Sequence, residues 1–324
     1  MRIDRLQLLR KHLDRFASSV DRASKGDVRA LHQTRVASRR LRELIPLLQL
    51  DSDVARKLGR RLRKVTRRLG SIRELDVLVL LIDELRVSRR EYTQALGRAA
   101  VTVSKARDDA RGHLASTLPF DEARRAARRL ARILDRLPDP EHQAAGQVSP
   151  EAWRWAIDAR IAARAAHLTA TMSDAGAVYL PERLHGVRIA LKKLRYSVEM
   201  ATEAAGQRSS TDLRALRRAQ DTLGRLHDLQ VLIDRLRQIQ ASLVPPSVTV
   251  WHGLDQLVTA LENDCRRLHA RYMRQRPRLA VIAARLSARP ESSHRGIAPS
   301  PSRGAGRTRA AVAAEARPRR SVAV

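Results

Sequence analysis

Apolar residues recur at helical spacing along nearly the whole chain. Ile3, Leu6, Leu9, Leu13 and Phe16 form the first stripe and predict a helix from about residue 2 to 20. Gly26-Asp27 breaks it, with Asp27 placed to cap the next helix. That helix carries Leu31, Leu41, Leu44 and Leu48, and Pro46 is expected to kink it. A third helix follows Asp51 and is expected to stop at Gly70, with a fourth from Ser71 carrying Leu75, Leu78, Val79 and Ile82. Further helical pattern covers about 89–116 and 121–137. Beyond Pro138–Pro150, which reads as a linker, helices are expected over 153–172, 182–205, 211–223, 226–243 and 251–275. No stretch alternates with a period of two. The fold class is all-α.

Part of this pattern occurs twice. Residues 31–42, LHQTRVASRRLR, realign with 184–195, LHGVRIALKKLR, with six of twelve positions identical. Leu62-Arg63-Lys64, Leu69-Gly70, Leu75 and Val77-Leu78 then match Leu216-Arg217-Arg218, Leu223-Gly224, Leu229 and Val231-Leu232 at nearly the same offset. Two matches in one order indicate a duplicated unit. The expected organisation is a first half over 1–137, a linker over 138–149, a second half over 150–286, and a pseudo-twofold relation between the halves. From 287 to 324 the composition shifts to Ser, Pro, Gly, Arg and Ala, and a disordered basic tail is expected.

Charge changes the picture. The 324 residues include 64 Lys and Arg against 34 Asp and Glu, a formal net charge of +30. Such a chain attracts polyanions: nucleic acid, an anionic surface or a phosphate polymer. The longest apolar run, Val77–Ile82, is too short to span a membrane, and the lone Cys265 excludes an internal disulfide. A cytoplasmic location and no membrane contact are expected.

The repeated motif concentrates this charge. At 100° per residue, His32, Arg35, Arg39 and Arg42 share an arc of about 80°, and His185, Arg188, Lys192 and Arg195 do the same. Leu31, Thr34, Ala37 and Leu41 back the first row; Leu184, Val187, Leu191 and Leu194 back the second. Each row spans about 15 Å, the reach of several successive phosphates. Like charges at this spacing repel, so an anionic occupant is expected in place of a merely solvated face. The histidines lack the companions of a zinc site and read first as donors to phosphate, with a structural role second and a phosphoacceptor or metal-dependent phosphate enzyme as the less favoured alternative. Arg63, Lys64, Arg67, Arg217 and Arg218 extend the basic wall if they turn the same way. Gly70 and Gly224 are expected at left-handed helix ends, with Glu74 and Asp228 favouring the positive end of the helix that follows.

Together these motifs resemble the CHAD family, the conserved-histidine α-helical domain. The residues that carry the resemblance are His32 to Arg42, His185 to Arg195, and Leu69 to Val77 with its second version around His227-Asp228, where Gln230 replaces an acid and Glu74 stands for the usual Asp. The resemblance implies two antiparallel four-helix bundles facing each other across a basic cavity, binding of inorganic polyphosphate, and association with polyphosphate granules. The contacts it implies are His32, Arg35, Arg39, Arg40, Arg42, His185, Arg188, Lys192, Lys193 and Arg195. No cofactor and no catalysis are expected, because the sequence shows no nucleophile–base pair and no P-loop. The alternative is a nucleic-acid binder working through the phosphate backbone. With nine aromatics in the chain, platforms for stacking single-stranded bases are scarce.

Overall fold

The computed structural model describes residues 5–48, 50, 52–117, 120–136, 152–206, 210–243 and 247–288. The expected linker over 138–149 and the expected tail lie outside these residues, save for the last helical residues of the core. Every element among the described residues is helical. The first, α1 (Arg5–Ser24), ends where Gly26 adopts φ 87°, a left-handed conformation that only glycine takes at no steric cost. Asp27 N–H then reaches back to the Arg22 carbonyl, and Gly26 N–H to that of Ala23, a Schellman closure. The Asp27 carboxylate in turn accepts from the backbone of Arg29 and Ala30 and opens α2 (Val28–Leu44). The expected cap is where the sequence placed it.

Pro46 does more than kink the chain. The α-helix stops at Leu44 and continues as a single 3₁₀ turn, Ile45–Leu48, because proline offers no N–H and crowds the preceding turn. Next comes α3 (Ser52–Ser88), whose 37 residues extend about 55 Å. It is followed by α4 (Thr93–Thr117), α5 (Phe120–Arg136), α6 (Ala152–Ala175), α7 (Pro181–Ala204), α8 (Thr211–Ala241) and α9 (Val248–Ser287).

Two expected helix ends are absent. Gly70 lies inside α3 and Gly224 inside α8, neither with positive φ. A mid-helix glycine costs about 1 kcal/mol relative to alanine. The stripe that runs on through Leu69, Ile72 and Leu78, and through Leu223, Leu226 and Leu229, is buried throughout and outweighs it. Glu74 and Asp228 are therefore mid-helix residues and do not complement a helix start. Similarly, α9 passes through Pro277 instead of ending at Gln275, since Leu279, Ile282, Ala283 and Leu286 beyond it are all buried.

The packing follows from these long helices. Helices α1, α2 and α5 pack around the N-terminal part of α3; α6 and α7 pack around the N-terminal part of α8 and the C-terminal part of α9. The same neighbours recur in the same order, as the repeat requires. The packing does not, however, separate into two self-contained bundles. The far ends of α3 and α8 join α4 and the start of α9 in a further core of Leu78, Ile82, Leu96, Val103, Leu232, Leu236, Leu254 and Leu261. Both halves thus contribute to one shared core. No described helix is long and apolar enough to cross a membrane.

Candidate functional site

The buried stripes orient the cationic ones. Thr34, Ala37, Leu41 and Leu44 point α2 into its core, and Leu184, Val187, Leu191 and Leu194 do so for α7. The opposite faces of both helices line one cavity of about 560 Å³. His32, Arg35 and Arg39 come from α2, and His185, Arg188, Lys192 and Arg195 from α7. Helices α3 and α8 close the remaining sides with Arg73, Glu74, Gln220, His227 and Asp228.

Arg35 is held against α3 at Gly70. Arg35 Nη1 donates to the carbonyls of Leu69, 3.2 Å, and Gly70, 2.9 Å. A Cβ on Gly70 would sit 3.7 Å from that same nitrogen, an ordinary van der Waals contact. One end of Arg35 is anchored while its charge stays in the cavity.

The cations are in conflict with one another. Lys192 is pushed down to about 7, first by burial and then by Arg188, Arg39, Arg35 and Arg195. Two of those, Arg39 and Arg35, belong to the other row, so the rows face each other closely enough to share a field. Burial lowers Arg35 to about 10, and Arg39 and Arg73 add to the effect. Arg188 is lowered too, chiefly by burial, and its Nε is buried with no acceptor. His32 is lowered by desolvation and by Arg73, Arg35 and Arg39. Asp228 is the mirror case: burial raises it, although Arg188, Arg225, Lys192 and Arg73 pull the other way.

Lys192 makes stability depend on pH. An unfolded lysine binds its proton up to about 10.4, while the folded one releases it near 7. Between these values the unfolded chain holds more protons, so stability rises with pH, and the penalty is fully present below 7. The melting temperature is expected to rise from pH 6 to pH 9, and to rise less in Lys192→Met. Equal slopes for the two proteins in calorimetry would show that the ammonium is solvated.

Other candidates from the sequence turn elsewhere. Arg40 lies 3.7 Å and Arg217 2.9 Å from Glu199, which also pairs with Arg195. Lys64 faces α5, where Glu122 holds it at 3.1 Å. Arg218 is about 160° around α8 from Gln220 and lines a separate cleft with Arg274 and Arg278. Arg42 is half-buried outside the cavity lining, Lys193 is likewise outside it, and Arg63 and Arg67 are exposed on α3. Sequence reasoning missed Arg73, Gln220 and His227 as lining residues. Their signal is the spacing 70, 73, 74, 77 and 220, 227, 228, 231, one helical face each once α3 and α8 run through their glycines.

This arrangement can hold a flexible anionic chain by charge and hydrogen bonding. Among the described residues lining it there is no Ser, Thr or Cys. Tyr196 is buried, with the Arg195 guanidinium 4.6 Å from its ring centroid, so that face is already covered.

The family model for the CHAD domain matches residues 7–237. Among solved structures, PptA from Streptomyces chartreusis is similar with a TM-score of 0.63 and 17% identity, over 84% of this chain and 97% of that one. The crystal structure of the CHAD domain from the plant Ricinus communis gives a TM-score of 0.56 and 21% identity, over 89% and 94%. At such identities both likenesses speak to the fold. No curated protein matches the chain.

Proposed function

Because this chain belongs to the CHAD domain family, we propose that its cavity binds inorganic polyphosphate without chemical turnover, and that binding brings the protein to cytoplasmic polyphosphate granules. The observation that carries this reading is the convergence of two cationic helix faces, from α2 and α7, on one cavity. Bringing like charges together costs free energy that a polyanion returns on binding. Polyphosphate has a charge at every unit and no bases, so its recognition needs cations and no stacking surface. Arginine supplies forked donors for phosphate oxygens, and lysine a compact charge. Arg39 and Arg188 are the central contacts, with Arg35, Lys192, Arg195, Arg73 and the three cavity histidines around them. Arg40, Arg42, Lys193, Arg63, Lys64, Arg67, Arg217 and Arg218 lie outside the cavity lining and are not among these contacts.

Competition tests the choice of ligand. With labelled polyphosphate bound at fixed salt, unlabelled polyphosphate is expected to displace it at far lower phosphate concentration than duplex or single-stranded DNA. DNA competing equally well, phosphate for phosphate, would replace this reading with general nucleic-acid binding. Shortening of the polyphosphate on incubation with the protein and Mg²⁺ would overturn the noncatalytic part.

A further inference from the structure

The two halves of the cavity differ in permanent charge at the position of Arg73. Where α3 carries Arg73, the equivalent turn of α8 carries His227, 154 residues on. In the first half His32 therefore faces a permanent cation. In the second, His185 faces another imidazole: the ring centroids are 4.6 Å apart and tilted 54°, with Nδ1 to Nδ1 at 3.4 Å. That separation exceeds an ordinary N–H hydrogen bond, so contact and not a strong shared bond holds the rings.

Behind the pair is a hole of about 20 Å³, lined by His185, Arg188, His227 and Gln230 among leucines. It is large enough for one water or one phosphate oxygen. Arg188 also has its buried Nε–H without an acceptor. A small recess with polar and apolar walls, a buried donor without a protein acceptor and two adjoining imidazoles thus meet at one place. The charged groups around them are Arg188 and Lys192 on α7, Asp228 on α8, Arg73 and Glu74 on α3, and Arg35 and Arg39 on α2.

We propose that this corner is a proton-coupled phosphate subsite: a phosphate oxygen approaches Arg188, and the His185–His227 pair binds one proton as it arrives. The proposal rests on the polyphosphate reading and assigns its pH dependence to His227. The electrostatics agree. Burial, then Arg188, His185 and Lys192, push His227 down to about 4, and His185 is lowered by desolvation, Arg188 and Lys192. Both rings are neutral in the empty cavity near neutral pH. A phosphate negative charge set among the same groups cancels the field that keeps them so, which favours the imidazolium. The proton comes from solvent, and no bond other than N–H forms. In the first half Arg73 remains charged beside His32 and goes on opposing an imidazolium there, so the uptake is assigned to the second half.

Calorimetric titration with long-chain polyphosphate, whose end groups are too few to matter, reads the uptake directly. Measured near pH 6 in buffers of different ionisation enthalpy, the wild type is expected to take up protons on binding. At this pH Lys192, titrating near 7, is already mostly charged and contributes little. One proton linked to binding changes the affinity by up to tenfold per pH unit. His227→Arg is expected to lose most of the uptake and to bind more tightly than wild type at pH 8. His227→Gln, of similar bulk and no charge, is expected to lose the uptake and bind more weakly at pH 6. His32→Gln is expected to keep most of it. Normal affinity with undiminished uptake in both His227 variants, or loss of uptake in His32→Gln instead, overturns the subsite while leaving polyphosphate binding in place. A wild type that does not bind polyphosphate overturns the broader reading instead.

Discussion

Replacing Arg35, Arg39, Arg188 and Lys192 together by alanine is expected to weaken polyphosphate binding at least about a thousandfold while leaving the helices intact. The four side chains come from both rows and line the same cavity. A hydrogen bond to a charged group contributes about 1.5 kcal/mol or more, so four lost contacts exceed 4 kcal/mol even if they are not fully additive. That is roughly three decades in dissociation constant. By analogy with nucleic acids, each phosphate contact also adds to the salt dependence, so the slope of log affinity against log salt should fall by about 3. Stability is expected to move the other way. Arg35, Arg188 and Lys192 are all shifted toward the uncharged form, chiefly by burial, and removing them relieves that cost. Because Arg35 also bonds the carbonyls of Leu69 and Gly70, the triple variant that retains it separates a local packing loss from lost binding. An unchanged dissociation constant and salt slope in both variants would place the ligand outside the cavity.

The second large effect concerns Glu43. It sits at the end of the first cationic helix, one position beyond Arg42, yet its hydrogen bonds go to α6. Its carboxylate is buried and accepts from Arg160 Nε at 3.1 Å, Arg160 Nη2 at 2.6 Å and Arg164 Nη2 at 3.4 Å, both arginines on α6. This acid therefore ties a helix of the first half to one of the second. Glu43→Ala leaves two guanidinium groups side by side with no anion between them. Breaking a buried pair this way costs about 3–5 kcal/mol. The arginines are still a fifth to a quarter exposed, so a loss of about 2–3 kcal/mol is the expected scale after screening. For a domain of this size that lowers the melting temperature by roughly 4–10 °C. Glu43→Gln keeps an acceptor and should fall between the two. A melting temperature within a degree of wild type for Glu43→Ala would mean that water already satisfies the arginines.

Most of the fold was legible because its signals are local. The stripes in α1, α2, α6 and α7, the Asp27 cap and the turn at Gly26 depend on residues within a few positions of each other. The helix ends expected at Gly70, at Gly224 and at Gln275, two residues before Pro277, were misread for the opposite reason. Local propensity favours a stop at each, but leucines on both sides bury against partners distant in sequence, and that burial outweighs the local cost. The error spread to the site. Ending α3 and α8 at their glycines removed Arg73, Glu74, His227 and Asp228 from the helical faces that place them in the cavity.

From the sequence alone came the all-helical class, the duplication, and the two rows of His, Arg and Lys turned away from their cores, since periodicity determines which side of a helix is apolar. Which cations share an interior was decided only by tertiary packing. Lys64, Arg217 and Arg218 match the repeat as well as Arg35 and Arg188 do, yet Glu122, Glu199 and the far side of α8 draw them away. A helical pattern specifies direction around one axis. Whether two such directions converge depends on how the axes cross, and that is set by cores to which both halves contribute.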